Sequence, residues 1–291
     1  MNYKDHPLLY PLIVIIVIIV IILLTLVFFH MFMMKVSDYN TVIKNKLFNT
    51  NDEYLNVGLW DDNTLDFHSA QQNMYMHIFN EANLSDEKQH VLEVGCGTAS
   101  HYILWKKNGL RANITCFEPF TKTCKDVNDI NILRKRADEL VDINKYTRII
   151  SIESAFHYPN RERFFKKCYN ALEPNGKLIM SDIIINNNYK NNNGMILNMY
   201  QGYYRDYILK IPKENAINID VYKTQLQNAG FSKVNVYDVS EKTINKFYEL
   251  FDSNVIVNAP QILKNINNKF NKSLSNKETS LFSYIFVVCE K

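Results

Sequence analysis

The stretch Val91-Leu92-Glu93-Val94-Gly95-Cys96-Gly97-Thr98-Ala99-Ser100 decides how the rest of this sequence is read. Its first four residues read as a short strand, and two glycines follow at once. Without a Cβ, paired glycines let the backbone turn tightly and approach a ligand with no side chain between. Two nucleotide-type readings compete for such a loop. A dinucleotide site uses G-x-G-x-x-G, so that a pyrophosphate rests on a helix N-terminus. Here Ser100 takes the third glycine's place, which weakens that reading.

Working outward, strand-like and helix-like segments alternate from His90 onward. Ile114-Thr115-Cys116-Phe117, Arg148 to Ile152 and Lys177 to Met180 are predicted strands. Between the last two, Arg161 to Leu172 is an amphipathic helix closed by the turn Pro174-Asn175-Gly176. Val234 to Val239 and Tyr284 to Cys289 are two late strands, separated by a long helical insertion with polar patches. Upstream, His68 to Phe79 has apolar residues at helical spacing. Alternation of this kind predicts an α/β fold with a mostly parallel sheet and helices on both faces.

Ligands of such sheets bind outside the carboxyl ends of the strands. The second strand ends at Glu118, whose carboxylate can accept two hydrogen bonds from ribose hydroxyls. The fourth ends in Glu153-Ser154-Ala155-Phe156-His157 and the fifth in Ser181-Asp182. Neighbouring parallel strands place His157 and Asp182 on one edge. An imidazole with an ordinary pKa of ~6.5 suits removal of a hydroxyl proton, and a carboxylate can orient it.

The glycine stretch resembles the first motif of class I S-adenosylmethionine-dependent methyltransferases: an acid, then G-x-G and a third small residue. Ala99 stands where that family commonly has another glycine. The resemblance implies a Rossmann-like seven-stranded sheet whose last two strands form an antiparallel hairpin, with S-adenosyl-L-methionine as cofactor. It implies that Glu93 orders the loop and faces the methionine end, and that Gly95 and Gly97 approach the cofactor. Asp138, after Ala137, resembles the carboxylate that meets the adenine amino group. The stretch from Ser151 through Arg161, Phe164, Leu172 to Gly176 and Asp182 is similar to small-molecule methyltransferases acting on sugars, polyketides, tocopherols and sterols. Members that methylate hydroxyls use a histidine and an aspartate at the positions of His157 and Asp182. The same relatives carry an upstream Ala-Gln helix that closes over the cofactor, here Ala70-Gln71. Ile211-Pro212, Tyr222, Leu226, Ala229-Gly230-Phe231 and Val239 continue the match, so the resemblance covers roughly Asn56 to Ser240 and the final strand.

Leu8 to Met34 is apolar almost throughout. As one helix it would exceed the ~30 Å hydrocarbon core, and it offers no small-residue cleavage site. A single transmembrane helix over residues 8–34 is therefore expected, after a short tail of residues 1–7. Residues 35–83 form a linker and cap helices, and residues 84–291 the methyltransferase domain. Lys35, Lys44 and Lys46 after the apolar run place the catalytic domain on the cytosolic side of a single-pass membrane protein.

The formal charge of +3 is nearly balanced, and no run of one sign suggests a nucleic-acid partner. The five cysteines, Cys96, Cys116, Cys124, Cys168 and Cys289, match no zinc spacing and read as buried free thiols in a reducing compartment. No metal is expected. The tract Asn186 to Asn193 is low-complexity and reads as a mobile loop.

The expected activity is methyl transfer to a small, lipid-like acceptor, at oxygen. Two alternatives stand beside it. One is carbon methylation, as in sterol methyltransferases, with Glu153 stabilising a carbocation. The other is a membrane-tethered protein that binds S-adenosylmethionine without turnover.

Overall fold

The computed structural model describes residues 14–20, 54–187, 189, 195–250, 269 and 271–291. The chain divides into two units, Met1–Asn49 and Thr50–Lys291.

In the first unit, residues 14–20 form a helix, α1, with exposed side chains from Val14 to Val20. Among the described residues no helix is long and apolar enough to cross a membrane. This overturns the expected transmembrane helix over residues 8–34, and with it the single-pass membrane localisation. The remainder of that apolar run and the linker that follows it lie outside the described residues.

The second unit is built on one seven-stranded sheet in the order β3-β2-β1-β4-β5-β7-β6. The strands are β1 (His90–Val94), β2 (Asn113–Phe117), β3 (Asn131–Leu133), β4 (Tyr146–Ile152), β5 (Leu172–Ile185), β6 (Lys233–Asp238) and β7 (Phe282–Glu290). The first five run parallel, and β7 lies antiparallel between β5 and β6. The expected mostly parallel sheet with a C-terminal antiparallel hairpin is thus present. The strand unseen in the sequence is β3, whose three residues are too few to show a periodicity. It is recruited by β2, with Thr115 opposite Asn131 and Phe117 opposite Leu133.

The helices are α2 (Phe67–Glu81), α3 (His101–Lys107), α4 (Arg161–Ala171), α5 (Met195–Tyr203), α6 (Ile219–Ala229) and α7 (Ile244–Leu250). Side-chain caps set three of their starts. Asp66 accepts from Ser69 N at 2.7 Å, Asn160 from Arg163 N at 2.8 Å and Asn218 from Val221 N at 3.0 Å. Gly230 closes α6 in the left-handed region, φ +113°. After α4 the chain enters β5 directly, and the Pro174–Gly176 turn is an irregularity inside that strand: Tyr146 pairs with Leu172, but Arg148 with Lys177. Leu92, Val94, Ile149, Phe165, Leu178, Tyr222 and Val287 lie in the principal core, where the helices meet the sheet.

Of the asparagine-rich tract, the described part begins anchored rather than loose. Asn186 is buried, and its amide donates to Ser280 O at 3.0 Å and Lys277 O at 2.6 Å. Asn188 and residues 190–194 lie outside the described residues, as does the expected insertion around Asn265.

Candidate functional site

The order of the sheet reverses between β1 and β4, so the carboxyl ends of these two strands flank a crevice. The Gly95-Cys96-Gly97 loop leaves β1 at that point. Gly95 and Gly97 take φ +83° and +58°, in the left-handed region where a Cβ is costly. Gly95 N donates to Phe117 O at 2.8 Å, tying the turn to β2. A Cβ on Gly95 would lie 2.0 Å from Ser154 Oγ and 2.7 Å from Ser154 Cβ. The first glycine is therefore required by the loop after β4 itself. Ala99 also takes a left-handed conformation, φ +61°, and is fully buried. Its methyl fits, but at the backbone cost of roughly 1–2 kcal/mol that a glycine there would avoid.

Glu118 is buried and holds the loop from the β2 side. Its carboxylate accepts from Gly97 N and Phe120 N, each at 2.9 Å. Each carboxylate oxygen has a second lone pair, so acceptor capacity toward ribose hydroxyls remains. Asp138 is exposed and pairs with Arg136 Nε at 3.1 Å. It borders a cleft with Ala137, Tyr158 and Phe164.

Glu93, the last residue but one of β1, is almost wholly buried. His101 Nε2 donates to its Oε2 at 3.0 Å, whereas its Oε1 is buried with no hydrogen-bond partner. The buried Gln71 shows the same signature. Its amide nitrogen donates to Tyr54 O at 3.1 Å and Asn56 O at 2.9 Å, while its Oε1 is unpartnered. Those bonds hold the segment before α2 over the glycine loop, and the Leu55 side chain would meet a Cβ on Gly97 at 3.0 Å. Two buried oxygens left without donors beside a glycine turn suit a ligand carrying an ammonium group. The residues present fit the methionine end of S-adenosylmethionine.

Glu153 follows β4 with φ +47°, a strained conformation for a non-glycine residue. Its carboxyl accepts from Val57 N at 2.9 Å and from the Tyr284 hydroxyl at 2.7 Å. Burial raises its pKa to about 7, opposed by those two hydrogen bonds and reinforced by the charge of Asp182.

The structure does not bring His157 and Asp182 together as a dyad. Asp182 is fully buried and accepts from Arg161 Nη1 and the Tyr222 hydroxyl, each at 2.9 Å, and from Ile183 N. Burial pushes its carboxyl up, while Arg161 and Tyr222 pull it down. His157 is exposed. Desolvation holds its pKa below the ordinary value, against hydrogen bonding to the backbone of Lys210 and Leu209. Asn215 links the two places. It donates to Phe156 O and Tyr158 O, and accepts from Arg161 N at 3.0 Å.

Sequence reasoning missed His101, Tyr284 and the partnership of Arg161 with Asp182. His101 had a signal, a histidine one turn beyond the glycine loop. Tyr284 comes from β7 and had none. The free-thiol reading is corrected at two positions: Cys96, in the glycine loop, is disulfide-bonded to Cys116 in the neighbouring strand. Parallel pairing of β1 with β2 brings the two together, which spacing along the chain could not show. Cys124, Cys168 and Cys289 are free.

The sheet order, the antiparallel last strand and the glycine turn with buried acids on both sides define a class I S-adenosylmethionine-dependent methyltransferase. Comparison with known proteins places it more closely. Residues 46–281 match the mycolic acid cyclopropane synthetase family, and the chain belongs to that family. It is 26% identical over 214 residues to the erythromycin 3''-O-methyltransferase of Saccharopolyspora erythraea, covering 69% of each chain. Among solved structures it is similar to a sarcosine dimethylglycine methyltransferase from Galdieria sulphuraria, so described provisionally, with a TM-score of 0.64 at 13% identity over 87% of this chain and 98% of that one. The mycolic acid cyclopropane synthase CmaA1, complexed with S-adenosylhomocysteine, aligns with a TM-score of 0.63 at 14% identity over 85% and 93%.

Proposed function

We propose that this enzyme transfers the cofactor's methyl group to a hydroxyl of a small, apolar or lipid-like acceptor lying at the carboxyl edge of β4 and β5. When bound, S-adenosylmethionine supplies an electrophilic methyl on a positively charged sulfur. Glu93 and Gln71 hold its methionine end, Gly95 and Gly97 let it approach the backbone, and Glu118 accepts from the ribose. Asp138 receives the adenine amino group, and Glu153 closes the edge beside the methyl. Transfer would form a carbon–oxygen bond as the carbon–sulfur bond breaks with its electron pair left on sulfur, and His157 would take the hydroxyl proton. The observation that carries this reading is the place of His157, exposed in the turn that follows β4 at the carboxyl edge of the sheet, where an imidazole can reach an acceptor hydroxyl; partial desolvation shifts it toward the neutral, proton-accepting form. Asp182 serves by holding Arg161 and the loop around His157, not by touching the imidazole.

The test incubates the full chain with methyl-labelled S-adenosylmethionine and an extract of lipids and small metabolites, and identifies the labelled product. An O-methyl ether is expected. His157→Ala should lower its formation about 10²–10⁴-fold with cofactor affinity retained. The wild-type rate should rise as pH climbs through the histidine's titration, below the ordinary imidazole range, and that limb should vanish in the alanine variant. A second reading is carbon methylation, favoured by Glu153, a partly buried carboxyl in a strained backbone conformation whose hydrogen-bond donors, Val57 N and the Tyr284 hydroxyl, carry no charge. Label on carbon, lost in Glu153→Gln and kept in His157→Ala, would select it. Cofactor binding with no labelled product from any extract would leave a binding protein.

A further inference from the structure

The ring of His101 is fixed on every side that the structure describes. It is 1% exposed. It stacks on Tyr75 with centroids 4.6 Å apart and planes 8° from parallel, and meets the edge of Trp105 at 4.6 Å. Trp105 is itself pinned by its indole N–H, which donates to Tyr75 O at 3.0 Å. A ring held so firmly has one direction in which to aim Nε2, and that direction is Glu93 Oε2. The carboxylate can only accept, so Nε2 carries the hydrogen of this bond. Satisfying one oxygen from the α3 side sets the carboxylate plane and leaves the other, Oε1, buried and unpartnered. Gln71, one helical turn before Tyr75 on α2, leaves its own Oε1 unpartnered as well.

We infer that His101 is a positioning residue for the cofactor, turning the Glu93 carboxylate so that its free oxygen, with the amide oxygen of Gln71, receives the α-ammonium of the methionine end. The inference deepens the cofactor site proposed above and rests on it. An ammonium has three donors and a full charge, and its hydrogen bonds to buried oxygens are of the strong, charge-assisted kind. The buried Tyr102 hydroxyl already interacts with this carboxylate without closing a geometric hydrogen bond to it; without the bond from His101 it would draw the carboxylate round, and the ammonium would have to reorient it on binding.

The test compares two ligands by calorimetry on the full chain. S-adenosylhomocysteine carries the ammonium; 5′-methylthioadenosine shares the nucleoside and thioether but lacks the amino-acid end. Wild-type protein should bind the first more tightly. His101→Phe, which keeps the stack and loses the donor, should weaken S-adenosylhomocysteine about tenfold or more and leave methylthioadenosine unchanged. His101→Gln, which restores a donor, should recover most of that loss. Equal weakening of both ligands in His101→Phe, or no weakening of either, overturns the inference. If His101→Phe does not fold, His101→Gln decides: discrimination kept supports the role, and discrimination lost overturns it. Wild-type protein that binds both ligands equally would instead overturn the placing of the ammonium at Glu93.

Discussion

Arg161 at the start of α4 closes on Asp182 in β5 at 2.9 Å, with both side chains wholly out of solvent. Arg161 also donates to Ile183 O at 3.2 Å and Asn215 O at 2.8 Å, and its guanidinium lies over the Tyr222 ring at 4.6 Å. The pair therefore ties the helix after β4 to β5 and to the segment before α6. Removing one partner from such a pair strands the other charge in the interior.

Asp182→Asn should lower stability by about 3–5 kcal/mol, because Arg161 is then buried without its counter-charge. Tyr222→Phe, which removes one neutral donor to the same carboxylate, should cost about 1 kcal/mol. Denaturant unfolding measures both. An Asp182→Asn variant as stable as wild type, but slow in turnover, would return the aspartate to the chemistry.

Glu153 makes stability depend on pH. Its folded pKa of about 7 stands above the ordinary 4.5. Below 4.5 both folded and unfolded chains hold the proton, and the contribution is fully present. As pH rises from there to 7, the unfolded chain ionises first, so stability falls, by at most about 3 kcal/mol, and levels off beyond. Glu153→Gln keeps an acceptor for Val57 N and the Tyr284 hydroxyl, and should flatten this slope. Unfolding curves taken from about pH 5 to about pH 8 would show it; an unchanged slope in the variant would assign the dependence elsewhere.

Gly95→Ala should cost about 1–2 kcal/mol from the left-handed backbone alone, and more from the collision with Ser154. Cofactor affinity should fall with it, since Ser154 and Tyr158 both hydrogen-bond Val94 O beneath the loop. Adding Ser154→Gly removes both colliding atoms and should recover part of the binding. Calorimetry with S-adenosylhomocysteine on the single and double variants checks this, and no recovery would locate the damage in the backbone.

The Cys96–Cys116 bond encloses a sequence separation of 20 residues, and constraining the unfolded chain to that extent is worth about 3 kcal/mol. Protein unfolded without reductant should alkylate three thiols, and five after reduction. Mass spectrometry counts them directly. Five labelled cysteines before reduction would show that the two are thiols in solution.

How much was legible in the sequence follows from the range of each interaction. The acid-glycine turn from Glu93 to Gly97, the alternation of strands and helices, and the α2 and α4 helices are written in neighbouring residues. Periodicity, caps and the steric freedom of glycine act within a few positions, so sequence alone determined the fold class, the glycine loop and the carboxyl edge, where Glu118 and Glu153 follow their strands and His157 lies in the turn after β4. The same local reading misled where a run of apolar residues from Leu8 suggested one spanning helix. Only the tertiary structure decided what depends on pairing between distant elements. β7 returns from the far end of the chain to put Tyr284 against Glu153; α4 delivers Arg161 to Asp182 and so withdraws that carboxylate from His157; and the glycine loop that leaves β1 turns Cys96 onto Cys116 of the adjacent β2. None of these has a periodic signal, because a hydrogen bond, an ion pair or a disulfide is specified by where two side chains meet in space, and that meeting is fixed by the sheet order rather than by the residues flanking either partner.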